Sequence, residues 1–88
     1  MFRITSHPNG PHETRLVFEG RLVGEAVDEL RRVASETSAQ GRRIGLDLAA
    51  LRYADAAGIT LLRELIEDLA ELQRASAFVS ALLGEPTP

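Results

Sequence analysis

Between Arg43 and Leu69 the apolar residues change period once, from two to about 3.6, and that change commits the chain to a strand followed by a helix. Over Arg43–Ala49, Ile44, Leu46 and Leu48 share one face, while Gly45 and Ala49 flank Asp47 on the other. One side of this central strand is therefore set for a helical layer and the other is thinly covered. A short crossing segment, Ala50-Leu51-Arg52-Tyr53-Ala54, leads to Asp55-Ala56-Ala57-Gly58. From there Gly58, Leu62, Leu65, Ile66 and Leu69 form an apolar stripe widened by Ile59 and Leu61, with Thr60, Arg63, Glu64, Glu67 and Asp68 pointing away. A strand, a helix and a following strand joined in this way imply a right-handed crossover.

The N-terminal third reads as a hairpin and a helix. Phe2-Arg3-Ile4-Thr5 alternates, Pro8-Asn9-Gly10-Pro11 breaks the pattern, and Thr14–Gly20 resumes it with branched and aromatic residues; the pattern leaves the register open. From Glu25 onward Ala26, Val27, Leu30, Val33, Ala34 and Thr37 fall on one face, with Asp28 and Arg32 spaced for an i,i+4 pair on the other. Gly41 is suited to end this helix, because glycine enters the left-handed region at little cost. By composition alone Glu67–Leu83 admits one continuous helix, since neither Gly nor Pro interrupts it.

Composition narrows the functional classes. Eighty-eight residues make one domain of modest expected stability. Without cysteine the chain has no disulfide, thiolate nucleophile or thiolate metal site, and no basic start precedes an apolar signal core, so a cytoplasmic address is the default expectation. All ten basic residues are arginines scattered among thirteen acids, for a net charge of −3, which argues against nucleic acid as a partner. No apolar run approaches the ~20 residues of a membrane span, so any membrane link is expected to pass through another protein.

The stretch Ile44–Leu62 resembles the signature of STAS domains, a family that includes anti-sigma factor antagonists and transporter-associated regulatory domains. There a strand of the type Leu-Asp-Leu-Ser leads through an aromatic to Asp-Ser-Ser-Gly. Glu19-Gly20-Arg21-Leu22-Val23-Gly24 is similar to the family's strand-to-helix junction, and Ala75-Ser76-Ala77-Phe78-Val79 to its Ser-Pro-Phe-Val turn. The resemblance implies an α/β fold, a single STAS-like domain over residues 1–84 with a mixed four-stranded sheet and helices mainly on one face. It also resolves the last segment into a strand near Ala70–Arg74 and a short helix, capped by Ser76, to Leu83. Residues 85–88 are expected to form a frayed tail.

The departure from the family pattern is at the phosphoacceptor. Where phosphorylated antagonists carry serine before the glycine, this chain has Ala57, and the threonine of lipid-transporter members is replaced by Ala56. The resemblance implies a non-enzymatic protein-binding module, without cofactor or phosphorylation, docking through Asp55, Ala56, Ala57, Gly58, Ile59, Thr60 and Tyr53. Its implied partner is a kinase-type anti-sigma factor; the alternative is the ATPase of a lipid-transport system, and a third reading, of another class, is a small-ligand or nucleotide sensor. Larger members continue with a further strand and helix, so the apolar surface around Phe78, Val79, Leu82 and Leu83 is expected to pair in a homodimer.

Read as residues alone, Asp55 is an N-cap for the following helix, and Gly58 leaves room for a partner's backbone. Tyr53 reads first as a packed aromatic with its hydroxyl at the edge, and second as an interface anchor. Glu64, Glu67, Asp68 and Glu71 form a solvated face or, in a sharper reading, an acidic rim beside the docking site. His7 and His12 flank the hairpin turn as surface residues, with no third ligand for a metal. No histidine lies near Ser35, Ser38, Ser76 or Ser80 to assemble a triad, and Gly20-x-x-x-Gly24 lacks the lysine and the spacing of a phosphate loop.

Overall fold

The change of period from strand to helix is realised in a computed structural model that describes residues 1–83; the expected tail at residues 85–88 lies outside the described residues. In chain order the elements are β1 (Phe2–Pro8), β2 (Glu13–Leu22), α1 (Glu25–Ala39), β3 (Arg43–Leu48), β4 (Leu51–Ala54), α2 (Ala56–Asp68), β5 (Ala70–Ala75) and α3 (Ala77–Leu83). β1 runs antiparallel to β2 with Phe2 opposite Gly20 and Ile4 opposite Phe18, which fixes the register that the sequence leaves open. β2, β3 and β5 are mutually parallel, in the order β1-β2-β3-β5. Among the described residues the sheet has five strands, one more than the four expected, because the crossing segment forms β4 and pairs with β2 beyond the end of β3.

All three helices bury into one cluster. Leu16, Phe18 and Leu22 of β2 and Ile44, Leu46 and Leu48 of β3 meet Ala26, Leu30 and Ala34 of α1, Leu61, Leu62 and Leu65 of α2, and Val79 and Leu83 of α3. At about 25 cal/mol per Å2 of apolar surface removed from water, this one-sided burial is the main favourable term in folding. The other face of β3 is better covered than its sequence suggests. Gly45 and Asp47 are both buried, and the side chain of Gln73 from β5 lies where a Cβ on Gly45 would project.

Local chemistry sets the element ends. Gly41, at φ +76°, stops α1, and its N–H donates to the Ser38 carbonyl at 2.9 Å. β5 pairs with β3 from Ala70 to Ala75, so the segment after α2 is strand and not continuous helix. The Ser76 hydroxyl then accepts from the Val79 N–H at 3.2 Å to begin α3.

On α1 the expected Asp28–Arg32 pair gives way to another. The Arg32 guanidinium bonds Glu29 at 2.6 Å and Glu36 at 2.8 Å, satisfying two carboxylates one turn to either side. Its hydrogen bond holds the Glu29 carboxyl below the usual carboxylate range. Arg42, which nothing in its local sequence marks, holds the hairpin to the start of β3. Its guanidinium donates to Thr14 Oγ1 at 2.6 Å and to the carbonyls of Glu13, Gly10 and Pro11 at 2.7, 3.2 and 3.3 Å.

The α3 surface expected to seek a second copy is smaller than its sequence suggests. Val79 and Leu83 are taken up by the chain's own core, leaving Phe78 exposed and Leu82 half-buried. No helix among the described residues is long and apolar enough to cross a membrane.

Candidate docking site

The site is built where β3 hands the chain to β4. Asp47, buried to 7% exposure, turns the chain after β3 by accepting the Ala49 N–H on its carboxylate at 3.1 Å. The Ala50 carbonyl then accepts from the Gly20 N–H at 3.1 Å, which docks the turn onto β2. β4 pairs Leu51 with Gly20, Tyr53 with Arg21 and Ala54 with Leu22, so Arg52 is the unmatched residue of a β-bulge. A regular strand alternates faces, but here Leu51 and Ala54 are buried while Arg52 and Tyr53 both stay outside. Bulges re-aim side chains in this way.

Asp55 does what its sequence position implies. Its backbone is extended, at φ −80° and ψ −178°, and its Oδ1 accepts from the Gly58 N–H at 2.8 Å. The carboxylate satisfies an orphan donor and complements the positive end of the helix dipole. Asp55→Ala is therefore expected to cost about 0.5–2 kcal/mol, read as a lower midpoint in chemical denaturation, without loss of the native fold.

Gly58 keeps its place in the apolar stripe but does not leave room for a partner. It is buried and faces β2, so no partner's backbone approaches it. A Cβ there would lie 2.5 Å from the Leu22 carbonyl oxygen, 3.1 Å from Leu22 Cγ and 3.3 Å from Ala54 Cβ. Its missing side chain lets α2 lie close on the strand. The surface of the first turn is instead Ala56, Ala57 and Thr60, all exposed, with Ile59 partly buried against the core.

Tyr53 stands beside this turn at 46% exposure, so its ring is not the packed aromatic of the first reading. The Arg21 guanidinium lies 5.1 Å from the ring centroid, a cation–π contact that restrains the ring without burying it. Two small methyl-bearing residues, a hydroxyl and a steadied aromatic thus lie together on the surface. Asp55, the only ionisable group among residues 55–60, uses one carboxylate oxygen as a helix cap, and no nucleophile–base pair is assembled.

The remaining candidates lie elsewhere. Glu67, Asp68 and Glu71 gather with Glu13 and Arg43 around an open cavity of about 240 Å3. That cluster is at the far end of α2, about 18 Å along the helix from Asp55 at 1.5 Å per residue, so it does not rim the first turn of α2. Glu64 is held separately by Arg31 of α1 at 3.2 Å. His7 pairs across from Arg15, toward the opposite end of β2 from Leu22 and about 20 Å from it along the strand.

No protein-family model matches the sequence, and no curated protein matches it. Among solved structures the chain is similar to the anti-sigma factor antagonist SpoIIAA in its unphosphorylated form. The TM-score is 0.75 at 19% identity, over 93% of this chain and 78% of that one. At that identity the likeness is one of fold: a mixed sheet with helices on one face, arranged as in a STAS domain.

Proposed function

On the STAS fold that this chain shares with an anti-sigma factor antagonist, we propose a non-enzymatic protein-interaction module that docks through Ala56, Ala57 and Thr60 of α2 together with Tyr53. In this reading it acts as an antagonist-like adaptor and meets a kinase-type anti-sigma factor. The observation that carries the proposal is the first turn of α2. It is capped by Asp55, seated by Gly58 against β2, and exposes small side chains next to a large exposed aromatic. Exposed aromatics fixed by a neighbour, set beside surface that a partner can approach closely, are the residues that tend to dominate interfaces.

Ala57 makes this docking surface permanent. A phosphate at this position adds about −1.5 to −2 charges beside the Asp55 carboxylate, and repulsion together with desolvation opposes docking. Without a hydroxyl at Ala56 or Ala57 the module has no such off-state. Two measurements test the reading with a kinase-type anti-sigma factor from the host.

Incubated with that kinase and ATP, the parent chain is expected to keep its mass, and Ala57→Ser to gain one phosphate. In binding titrations Ala57→Glu is expected to weaken the complex by roughly a hundredfold, the scale of a like charge or unpaired charge placed in an interface. Stoichiometric phosphate on Thr60 of the parent, or undiminished binding by folded Ala57→Glu, sinks the proposal.

A further inference from the structure

Three arginines that are far apart in sequence converge beside this site. Arg3 of β1, Arg21 of β2 and Arg52 of β4 line one open concavity of about 590 Å3, together with Met1, Phe2 and Gly20, and with Glu19 the single acid in its wall. None of the three forms an ion pair among the described residues. The arginines on α1 behave differently: Arg31 and Arg32 are each neutralised by carboxylates. A chain with net charge −3 thus holds a local excess of positive charge at one end of its sheet. The bulge gives this cluster its shape, since Arg52 reaches the concavity as the unmatched residue between Leu51 and Tyr53. Gly20 sits beneath it at φ +102°, with no room for a Cβ against the Met1 carbonyl.

We infer that this concavity docks an acidic, extended segment of a partner protein. Charge complementarity identifies the occupant: uncompensated guanidiniums accept carboxylates in bidentate geometry, and convergent like charges concentrate an anionic ligand. The shape favours a chain segment over a small anion. The arginines are all exposed along an open trough, and the trough runs beside β1, an edge of the sheet whose outer side pairs with no strand among the described residues. Extended peptides use such edges. The surface goes beyond the α2 turn and adjoins it where Arg52 precedes Tyr53 in β4 and where Arg21 lies over the Tyr53 ring.

The test is a fluorescence-anisotropy titration of the full chain with a fluorescein-labelled octapeptide of alternating glutamate and leucine. Saturable binding that weakens as salt is raised is expected, because the paired charges are exposed. Arg3→Glu combined with Arg52→Glu is expected to weaken it at least about tenfold, while Arg63→Glu, an exposed charge reversal on α2, leaves it unchanged. Circular dichroism establishes that each variant is folded; if the double variant is not, Arg52→Ala replaces it with an expected loss of about threefold or more. Ala57→Glu retains peptide binding, which separates this surface from the α2 docking turn. The inference is overturned if the parent does not bind the peptide, or if Arg63→Glu weakens binding as much as the double variant. Displacement of the peptide by millimolar inorganic phosphate, or capture of the chain by phosphatidylserine vesicles but not by the peptide, also overturns it.

Discussion

Gly58→Ala is expected to destabilise the chain by about 1–3 kcal/mol, an unusual result for replacing glycine by alanine inside a helix. At an open helical position the same change stabilises by about 0.4–1 kcal/mol, since it restricts the unfolded chain. Here the added methyl meets backbone. The Leu22 carbonyl oxygen, 2.5 Å from the ideal Cβ, also accepts the Asp55 N–H at 3.3 Å, so moving it disturbs the joint that seats α2 on β2. Overpacking therefore outweighs the entropic gain. Total stability for 88 residues is on the order of 4–13 kcal/mol, so the loss is a sizeable fraction of it.

Gly58→Glu is expected not to fold, and a binding defect in that variant reports on folding rather than on docking. Ala57→Glu, on the exposed side of the same turn, is expected to change stability by no more than about 0.5 kcal/mol. Denaturant midpoints of the three variants decide the matter, and a Gly58→Ala midpoint at or above the parent's refutes the packing argument.

The contrast between Ala57 and Gly58 marks where sequence reasoning reaches and where it stops. The period change after Arg43, the Asp55 cap and the Gly41 stop are readable because each depends on residues within one turn or one strand, whereas the Ser76 cap follows only from the family resemblance. The strand at Ala70–Ala75 has helical composition, and its conformation is decided by pairing with β3. Tertiary context there overrides local propensity. β4 is short, and its identity depends on residues in β2 about thirty positions earlier, with a bulge that breaks the alternation a strand is recognised by. The same bulge exposes Tyr53, which an alternating pattern gave no reason to expect. Whether Gly58 faces solvent or strand depends on the rotation of α2 about its axis. The apolar stripe already sets Gly58 on the strand side, within about 25° of its centre at 100° per residue; how closely α2 lies on β2 at that point depends on β2 and is not written in the helix.

Charge was the least legible property. Composition showed arginines scattered among acids, and along the chain they are; only the order of the strands gathers Arg3, Arg21 and Arg52. Arg42 illustrates the same limit. Nothing in its neighbourhood in sequence marks it, yet its guanidinium spans the loop that begins β2.

Phe18→Ala is expected to cost about 3–5 kcal/mol, the largest effect of any single truncation proposed for this chain. Phe18 is fully buried at 0% exposure in β2, and pairing with β1, β3 and β4 holds that strand in place, so it cannot shift to fill the cavity without breaking a sheet contact. Its ring also stacks on Phe2 of β1, with centroids 6.0 Å apart and planes within 5°. That pair is worth about 0.5–1.5 kcal/mol beyond the buried area. A double-mutant cycle separates the two contributions: Phe2→Ala, at a half-buried edge position, removes the stack with little cavity, and the coupling with Phe18→Ala is expected to equal the stacking term. A Phe18→Ala loss below about 1 kcal/mol in chemical denaturation shows that β2 is not the keystone of the core.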